Sequence, residues 1–192
     1  EGAIESLGAV VAIVAKSLSA DLCAFLLYDE KSGELVVQPG AYGLGGDEGS
    51  LYRLPLNKEE ASSVRVFKTG APFLTGDAMN DPNVAQQYAR LWKCHSLIVV
   101  PLVLEGRRIG VMRVGSFEKD FFTPDQIEFV QLISEEAVVV LEGAMLTHNC
   151  FDAICHEHLG YYSLQTVQYL LSQTGFVLDD VAFNDANGGS IR

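Results

Sequence analysis

From Thr147 to His158 the chain reads Thr-His-Asn-Cys-Phe-Asp-Ala-Ile-Cys-His-Glu-His, which places three histidines, two cysteines and two carboxylates within twelve residues. Three kinds of chemistry suit such a cluster. His148, Cys150, Cys155, His156 and His158 are residue types that bind zinc. Their spacing matches no common ligand pair and no second cluster supplies distant ligands, so no metal is expected. Glu157 can orient or charge a neighbouring histidine that moves a proton near neutral pH, which makes His156, Glu157 and His158 candidates for general acid–base work. The third reading is a run of polar residues in a surface turn, and on residue types alone it is the strongest.

The elements that would position this cluster differ on its two sides. Downstream, Ser163 suits the N-cap of a helix through Ser172 with Leu164, Val167, Leu170 and Leu171 inward. Gly175 ends it as a left-handed cap, and residues 176–181 read as a strand. Upstream, Ile4, Leu7, Val11, Val14 and Leu18 recur at three- and four-residue steps and form one helical stripe. Residues 22–28 read as a strand, 29–33 as a hairpin turn and 34–38 as the returning strand. Residues 39–50 hold five glycines and are expected to be a mobile loop. A short strand follows at 52–56, a helix at 59–68 and another at 84–92. Residues 96–104 and 107–115 are β-rich runs joined by Glu105-Gly106, a hairpin that is apolar on both faces and hence expected to be central. Pro101 has no N–H for a ladder, which predicts a bulge or an unpaired side there. Thr123 as N-cap, Pro124 at the first helical position and Gln126 completing a capping box start a last helix running to about Met145. Its Ile127, Val130, Ile133, Ala137, Val140, Leu141 and Ala144 keep near-heptad spacing.

Composition narrows the function classes. The chain has 192 residues, room for one ordinary domain plus a fragment, and 48% of them are hydrophobic, enough for a real core. A formal net charge of −12, with only Arg107-Arg108 adjacent among the positive residues, argues against nucleic acid and against an acidic membrane surface as partners. No apolar run approaches the roughly 20 residues of a membrane span. Four cysteines without regular spacing do not make a disulfide framework, so a reducing cytoplasm is expected. The chain starts at Glu1 and stops at Gly188-Gly189-Ser190-Ile191-Arg192, which reads as the middle of a strand or turn, so a piece of something longer is expected.

The ordered pieces Arg53-Leu54-Pro55-Leu56, Phe67-Lys68-Thr69-Gly70-Ala71-Pro72, residues 77–82, Ser96 to Leu102, residues 106–115, Phe121-Phe122-Thr123-Pro124-Asp125 and residues 137–146 carry a resemblance: residues 1–146 resemble a GAF domain. The resemblance implies an α+β sandwich, an antiparallel sheet with helices on one side, a pocket on the other and the first and last helices packed together. In that family the pocket can hold a cyclic nucleotide, a bilin, a haem, a small metabolite or nothing, so the ligand is unidentified. The positions implied to line it are Phe25, Leu74, Asp77, Tyr88, Trp92 and Val99, with Asp77 and Asn80 as a polar pair able to orient a ligand. Asn80-Asp81-Pro82 reads equally as a turn and cap. Cys94-His95 directly precedes the strand at Ser96, unlike the earlier, helical cysteine of bilin-binding relatives, and Cys94 is read as a small buried residue. The two heptad-like terminal helices suggest a homodimer that passes a ligand-dependent shift to a neighbouring domain.

The segment after the seam resembles part of the C-methyltransferases that act on nucleotide-linked 4-keto deoxysugars. Asp152, Ile154, His156-Glu157-His158, Tyr161 or Tyr162, Ser163, Gly175, Asp180-Val181 and residues 188–192 match that pattern, with Cys155 standing where Tyr is usual and Asn187 where His is usual. By implication, His158 with Glu157 would remove the proton beside the keto group, and the carbanion would attack the methyl of S-adenosylmethionine. No glycine-rich strand-turn-helix that would hold S-adenosylmethionine is present in this sequence, so a loop bearing only the base is not expected to methylate anything. The expected organisation is therefore a GAF-like sensory, small-molecule-binding domain at 1–146 and a partial methyltransferase-like loop-helix-strand segment at 147–192. The alternative is a methyltransferase fragment with the first domain regulatory.

Overall fold

The computed structural model describes residues 2–45, 52–104, 106–146, 183–184 and 190–191. The chain divides into two compact units, residues 1–142 and 143–192. The first begins with helix α1 (Gly2–Ser17), followed by strands β1 (Leu22–Asp29), β2 (Glu34–Val37) and β3 (Arg53–Pro55), helix α2 (Ser62–Thr69), strand β4 (Phe73–Thr75), helix α3 (Gln86–Leu91) and strands β5 (Ser96–Leu104) and β6 (Arg107–Ser116). Helix α4 (Asp125–Leu146) follows. In the second unit the described residues are 143–146, the end of α4, and a short antiparallel pair, β7 (Phe183–Asn184) with β8 (Ser190–Ile191). The expected helix at 163–172 and strand at 176–181 lie outside the described residues.

The six strands of the first unit make one antiparallel sheet in the order β3-β2-β1-β6-β5-β4, so the fold is α+β with helices on both faces. Strand parity divides the core. Leu22, Ala24 and Leu26 of β1, Leu97 and Val99 of β5 and Val111 of β6 join one cluster with Val64 and Val66 of α2 and Ala89 of α3. Residues of the other parity, among them Phe25, Ile98, Val100, Met112 and Val114, are also buried. The described elements left to cover that second face are α1, through Val11 and Val14, with Leu18 just after it, and α4, through Phe129, Val130 and Ile133.

Local chemistry sets most of these boundaries. The β1–β2 turn is tied by the Asp29 carboxylate, which accepts from the Lys31 N–H and the Ser32 hydroxyl. At the start of α4 the Gln126 side chain accepts from the Thr123 N–H at 2.9 Å, the return half of the capping box. Helix α2 starts three residues later than its sequence suggests. Residues 58–61 instead form a tight turn, with the Lys58 N–H bonded to Pro55 O and the Ala61 N–H to Lys58 O. Gly70 closes the helix at φ 78°, its N–H on Val66 O. Helix α3 likewise begins at Gln86 rather than Val84, because the Val84 N–H bonds to Asp81 O in the preceding turn. The bulge expected near Pro101 falls one residue beyond it and on the facing strand. Leu102 pairs with Gly110 and Val103 with Arg108, so Ile109 is the extra residue. Pro101 itself pairs in register with Val111, and β4 stops pairing with β5 at Val99, which leaves the outer side of Pro101 without a strand neighbour.

Candidate functional site

The site grows from an anomaly in β6. Within Val111-Met112-Arg113-Val114 a guanidinium stands at a position opposite Ala24 of β1 and Val99 of β5, in the middle of the sheet, and Arg113 is only 7% exposed. Strand parity points it to the face covered by α2 and α3. Two other elements close around it. Tyr52, 1% exposed, sits just before β3, where its carbonyl accepts from the Val37 N–H. At the end of α3, Lys93 adopts a left-handed conformation (φ 52°), and the Cys94 N–H returns to Ala89 O at 2.9 Å. That reversal turns both Trp92 and Cys94 inward, at a backbone cost for a non-glycine residue of about 1 kcal/mol.

Arg113, Tyr52, Trp92, Cys94, Leu44 and Gly115 line, with neighbouring β1 and β5 residues, an inner cavity of about 20 Å³. Three of these lining residues carry a buried side-chain donor with no hydrogen-bond partner among the described residues: Arg113 Nη1, Tyr52 Oη and Trp92 Nε1. The guanidinium carbon lies 4.9 Å from the Tyr52 ring centroid, a cation–π contact that holds the charge without neutralising it. Tyr52 packs edge-on against Trp92, with ring centroids 4.7 Å apart, and Trp92 stacks on Tyr88 at 5.3 Å. Burial lowers the Arg113 guanidinium to about 10, which leaves it charged at neutral pH. The same burial pushes the Cys94 thiol up to about 12 and raises Cys23 as well, so neither is a thiolate at neutral pH and neither is poised as a nucleophile.

Outside Trp92 lies an open cleft of about 530 Å³ lined by Gly43, Met79, Leu91, Trp92, Lys93, His95 and Phe117. Trp92 is common to the cleft and the inner cavity. Beside the cleft, Asp77 Oδ2 accepts from Lys119 Nζ at 2.7 Å and from Asn80 Nδ2 at 2.8 Å, and Asp77 Oδ1 is 3.8 Å from His95 Nδ1. Lys119 first, then Asn80, holds the Asp77 carboxyl below the usual carboxylate range. A carboxyl lowered on folding stabilises above its unfolded value and loses that contribution as pH falls through the folded value. The melting temperature should therefore drop as pH falls below about 4, and Asp77→Asn should flatten that drop. Melting curves of both proteins across that range check it, and parallel curves would disprove the link.

The positions expected from sequence separate into three groups. Trp92 lines the cavity, Tyr88 stacks against it with its hydroxyl on Arg53 O at 3.1 Å, and Val99 is the register partner of Arg113. Asp77 and Asn80 form a tied turn beside the outer cleft. Phe25 and Leu74 pair with Met112 and Ile98 on the opposite face of the sheet, so neither reaches the cavity. Sequence reading missed Arg113, Tyr52 and Leu44. An arginine within the apolar run Val111-Met112-Arg113-Val114 of a central strand was the available signal, because a charge in such a place is expected to have a reason. His156, Glu157 and His158, with His148, Cys150 and Cys155, lie outside the described residues.

The sequence matches the GAF domain family over residues 5–142. Among solved structures, it is similar to the GAF domain of the phosphoenolpyruvate-protein phosphotransferase from Acinetobacter, at 19% identity and a TM-score of 0.63, covering 74% of this chain and 84% of that one. The corresponding GAF domain from Coxiella burnetii is similar at 20% identity and a TM-score of 0.65, with 74% and 84% covered. Free methionine-R-sulfoxide reductase from Neisseria meningitidis, solved in complex with its substrate, is similar at 22% identity and a TM-score of 0.63, with 74% and 80% covered. No match was found among curated proteins. Identities of this size speak to the fold alone.

Proposed function

The chain belongs to the GAF domain family, and on that premise we propose that residues 1–146 are a sensory module that binds a small molecule between the central strands and helices α2 and α3, with residues 147–192 a separate segment appended to it. The observation that carries this reading is the inner cavity, lined by residues whose buried guanidinium, phenol and indole N–H have no hydrogen-bond partner among the described residues. Protein interiors rarely leave such groups unsatisfied, and a site that does so is prepared for something else. Binding rather than thiol catalysis fits the cavity, since Cys94 is held protonated. The free buried thiols Cys23 and Cys94 support placement in a reducing cytoplasm.

A ligand that binds the native state raises the melting temperature by mass action, by about 2.7 kcal/mol of stability at a hundredfold excess over Kd. A thermal-shift screen with cyclic nucleotides, bilins, haem and keto acids should find at least one compound that shifts melting by several degrees. Silence across the whole screen would overturn the proposal. The reading includes pairing of two copies through the terminal helices. Val130, Ile133 and Ala137 of α4 are buried, so the contact would have to use other flanks of α1 and α4. Deleting either helix, by cutting at Ser19 or Thr123, should then yield monomers on a sizing column.

A further inference from the structure

We propose that the inner cavity is a seat for a compact planar monoanion, a carboxylate or an oxyanion of similar size, with Arg113 as its counter-ion and Tyr52 and Trp92 as supporting donors. The proposal rests on the reading of this cavity as the ligand site and names the chemistry that the site selects.

Charge decides the sign of the ligand. Among the described residues lining the cavity Arg113 is the one cation and none is a carboxylate, and the described ion pairs use Arg53, Lys68, His95 and Lys119 instead. A neutral ligand would leave the guanidinium as uncompensated as it is now, whereas an anion removes the penalty of burying it alone. Hydrogen bonding points the same way. Arg113 Nη1, Tyr52 Oη and the indole N–H of Trp92 all offer protons, and the indole cannot accept one. Three unpartnered donors on residues that line one small space ask for an acceptor with several lone pairs, and a planar carboxylate suits the guanidinium fork.

Size decides the rest. A cavity of about 20 Å³ holds roughly one water or an ion of that scale, so only a head group fits inside. The body of any larger ligand would have to lie in the outer cleft beyond Trp92, where about 530 Å³ is open. The same anionic chemistry therefore has two sources: a free small anion, or the carboxylate end of a longer metabolite.

Trp92 is the only tryptophan in the sequence and lines the cavity, so its fluorescence reports on this site. The full chain is titrated at constant ionic strength with formate, with pyruvate and with formamide, the neutral counterpart of formate. A saturating fluorescence change is expected with at least one of the two anions and none with formamide. Arg113→Gln should weaken the anion by on the order of 10- to 100-fold, and Tyr52→Phe by on the order of 3- to 10-fold. Equal midpoints for formate and pyruvate identify a free compact anion; a much tighter pyruvate identifies the head of a larger molecule. Formamide matching formate, or anion binding unchanged in Arg113→Gln, would overturn the proposal. The formate–formamide comparison needs no variant and stands even if a substitution misfolds. A neutral compound that raises the melting temperature equally in wild type and Arg113→Gln would sink the anion seat and leave the small-molecule function intact. No shift with any compound would sink both.

Discussion

Replacing Arg113 with Met should raise the melting temperature of the ligand-free protein and at the same time abolish its response to small anions. Arg113 is 7% exposed, its Nη1 has no hydrogen-bond partner among the described residues, and burial is what lowers its guanidinium to about 10. The direction of the linkage follows from that shift. Between the folded and the unfolded values the unfolded chain holds more protons than the native one, so stability rises with pH across that interval. Below it the whole penalty of burying the charge is present, and pH 7 lies well below. Tyr52, just before β3, and Cys94, whose thiol burial keeps protonated at neutral pH, line the cavity with Arg113. The cation–π contact with Tyr52 returns part of the penalty, leaving a net cost of about 1–2 kcal/mol. Methionine keeps the aliphatic stem and sheds the charge. For a chain of this size the gain amounts to roughly 2–8 °C in Tm. Thermal unfolding followed by circular dichroism at pH 7 checks it. A variant less stable than wild type by more than about 2 kcal/mol would mean that Arg113 has a structural partner and is not held in reserve for a ligand. A residue that weakens the fold while serving the site is the signature of function on a scaffold.

How far the sequence could reveal this site depends on what its patterns encode. The β5–β6 hairpin and the capping box at Thr123 were legible because local chemistry makes them: a two-residue turn between β-rich runs, and a Thr-Pro-Asp-Gln start. Strand β4 was not, since three residues after Pro72 carry no periodicity, and only pairing with Leu97, Ile98 and Val99 makes them a strand. The assignment of faces was harder still. In β1, Leu22-Cys23-Ala24-Phe25-Leu26 is buried on both sides, so alternation shows that the faces exist without showing which one meets α2 and α3. Phe25 was therefore as plausible a cavity residue as Ala24 until the sheet was folded. Tyr52 sits in a linker to a three-residue strand and reaches Arg113 only through tertiary structure, more than sixty residues apart in sequence. Arg113 itself was visible as an exception, and the sequence pattern around it, apolar on every side, is the part that generalises.

The same Gly→Ala change at two places in β6 should have very different consequences, and the contrast tests both the sheet and the cavity. Gly110 lies beside the Ile109 bulge, and a Cβ there would fall on the carbonyl oxygen of Leu26 and within 3.0 Å of the Leu27 Cα. Both obstacles are backbone of β1, the partner of β6 at the centre of the sheet, so relief requires the two strands to part. Overpacking against main chain in a central pair should cost about 3 kcal/mol or more, enough to remove much of the stability of an ordinary domain. Gly115 also lacks room, but what its Cβ would meet is the Cys94 Sγ at 2.8 Å and the Leu22 side chain at 3.4 Å, on the wall of the cavity. Side chains can shift where backbone cannot, so Gly115→Ala should cost about 1–2 kcal/mol. Its added methyl occupies space the anion needs, and formate should no longer alter Trp92 fluorescence. Urea unfolding separates the two: a large drop in midpoint for Gly110→Ala, and a small one with lost anion response for Gly115→Ala. Equal losses of stability would show that the β1–β6 contact at Gly110 is looser than its geometry implies. An unchanged formate response in Gly115→Ala would place the anion somewhere other than against this wall.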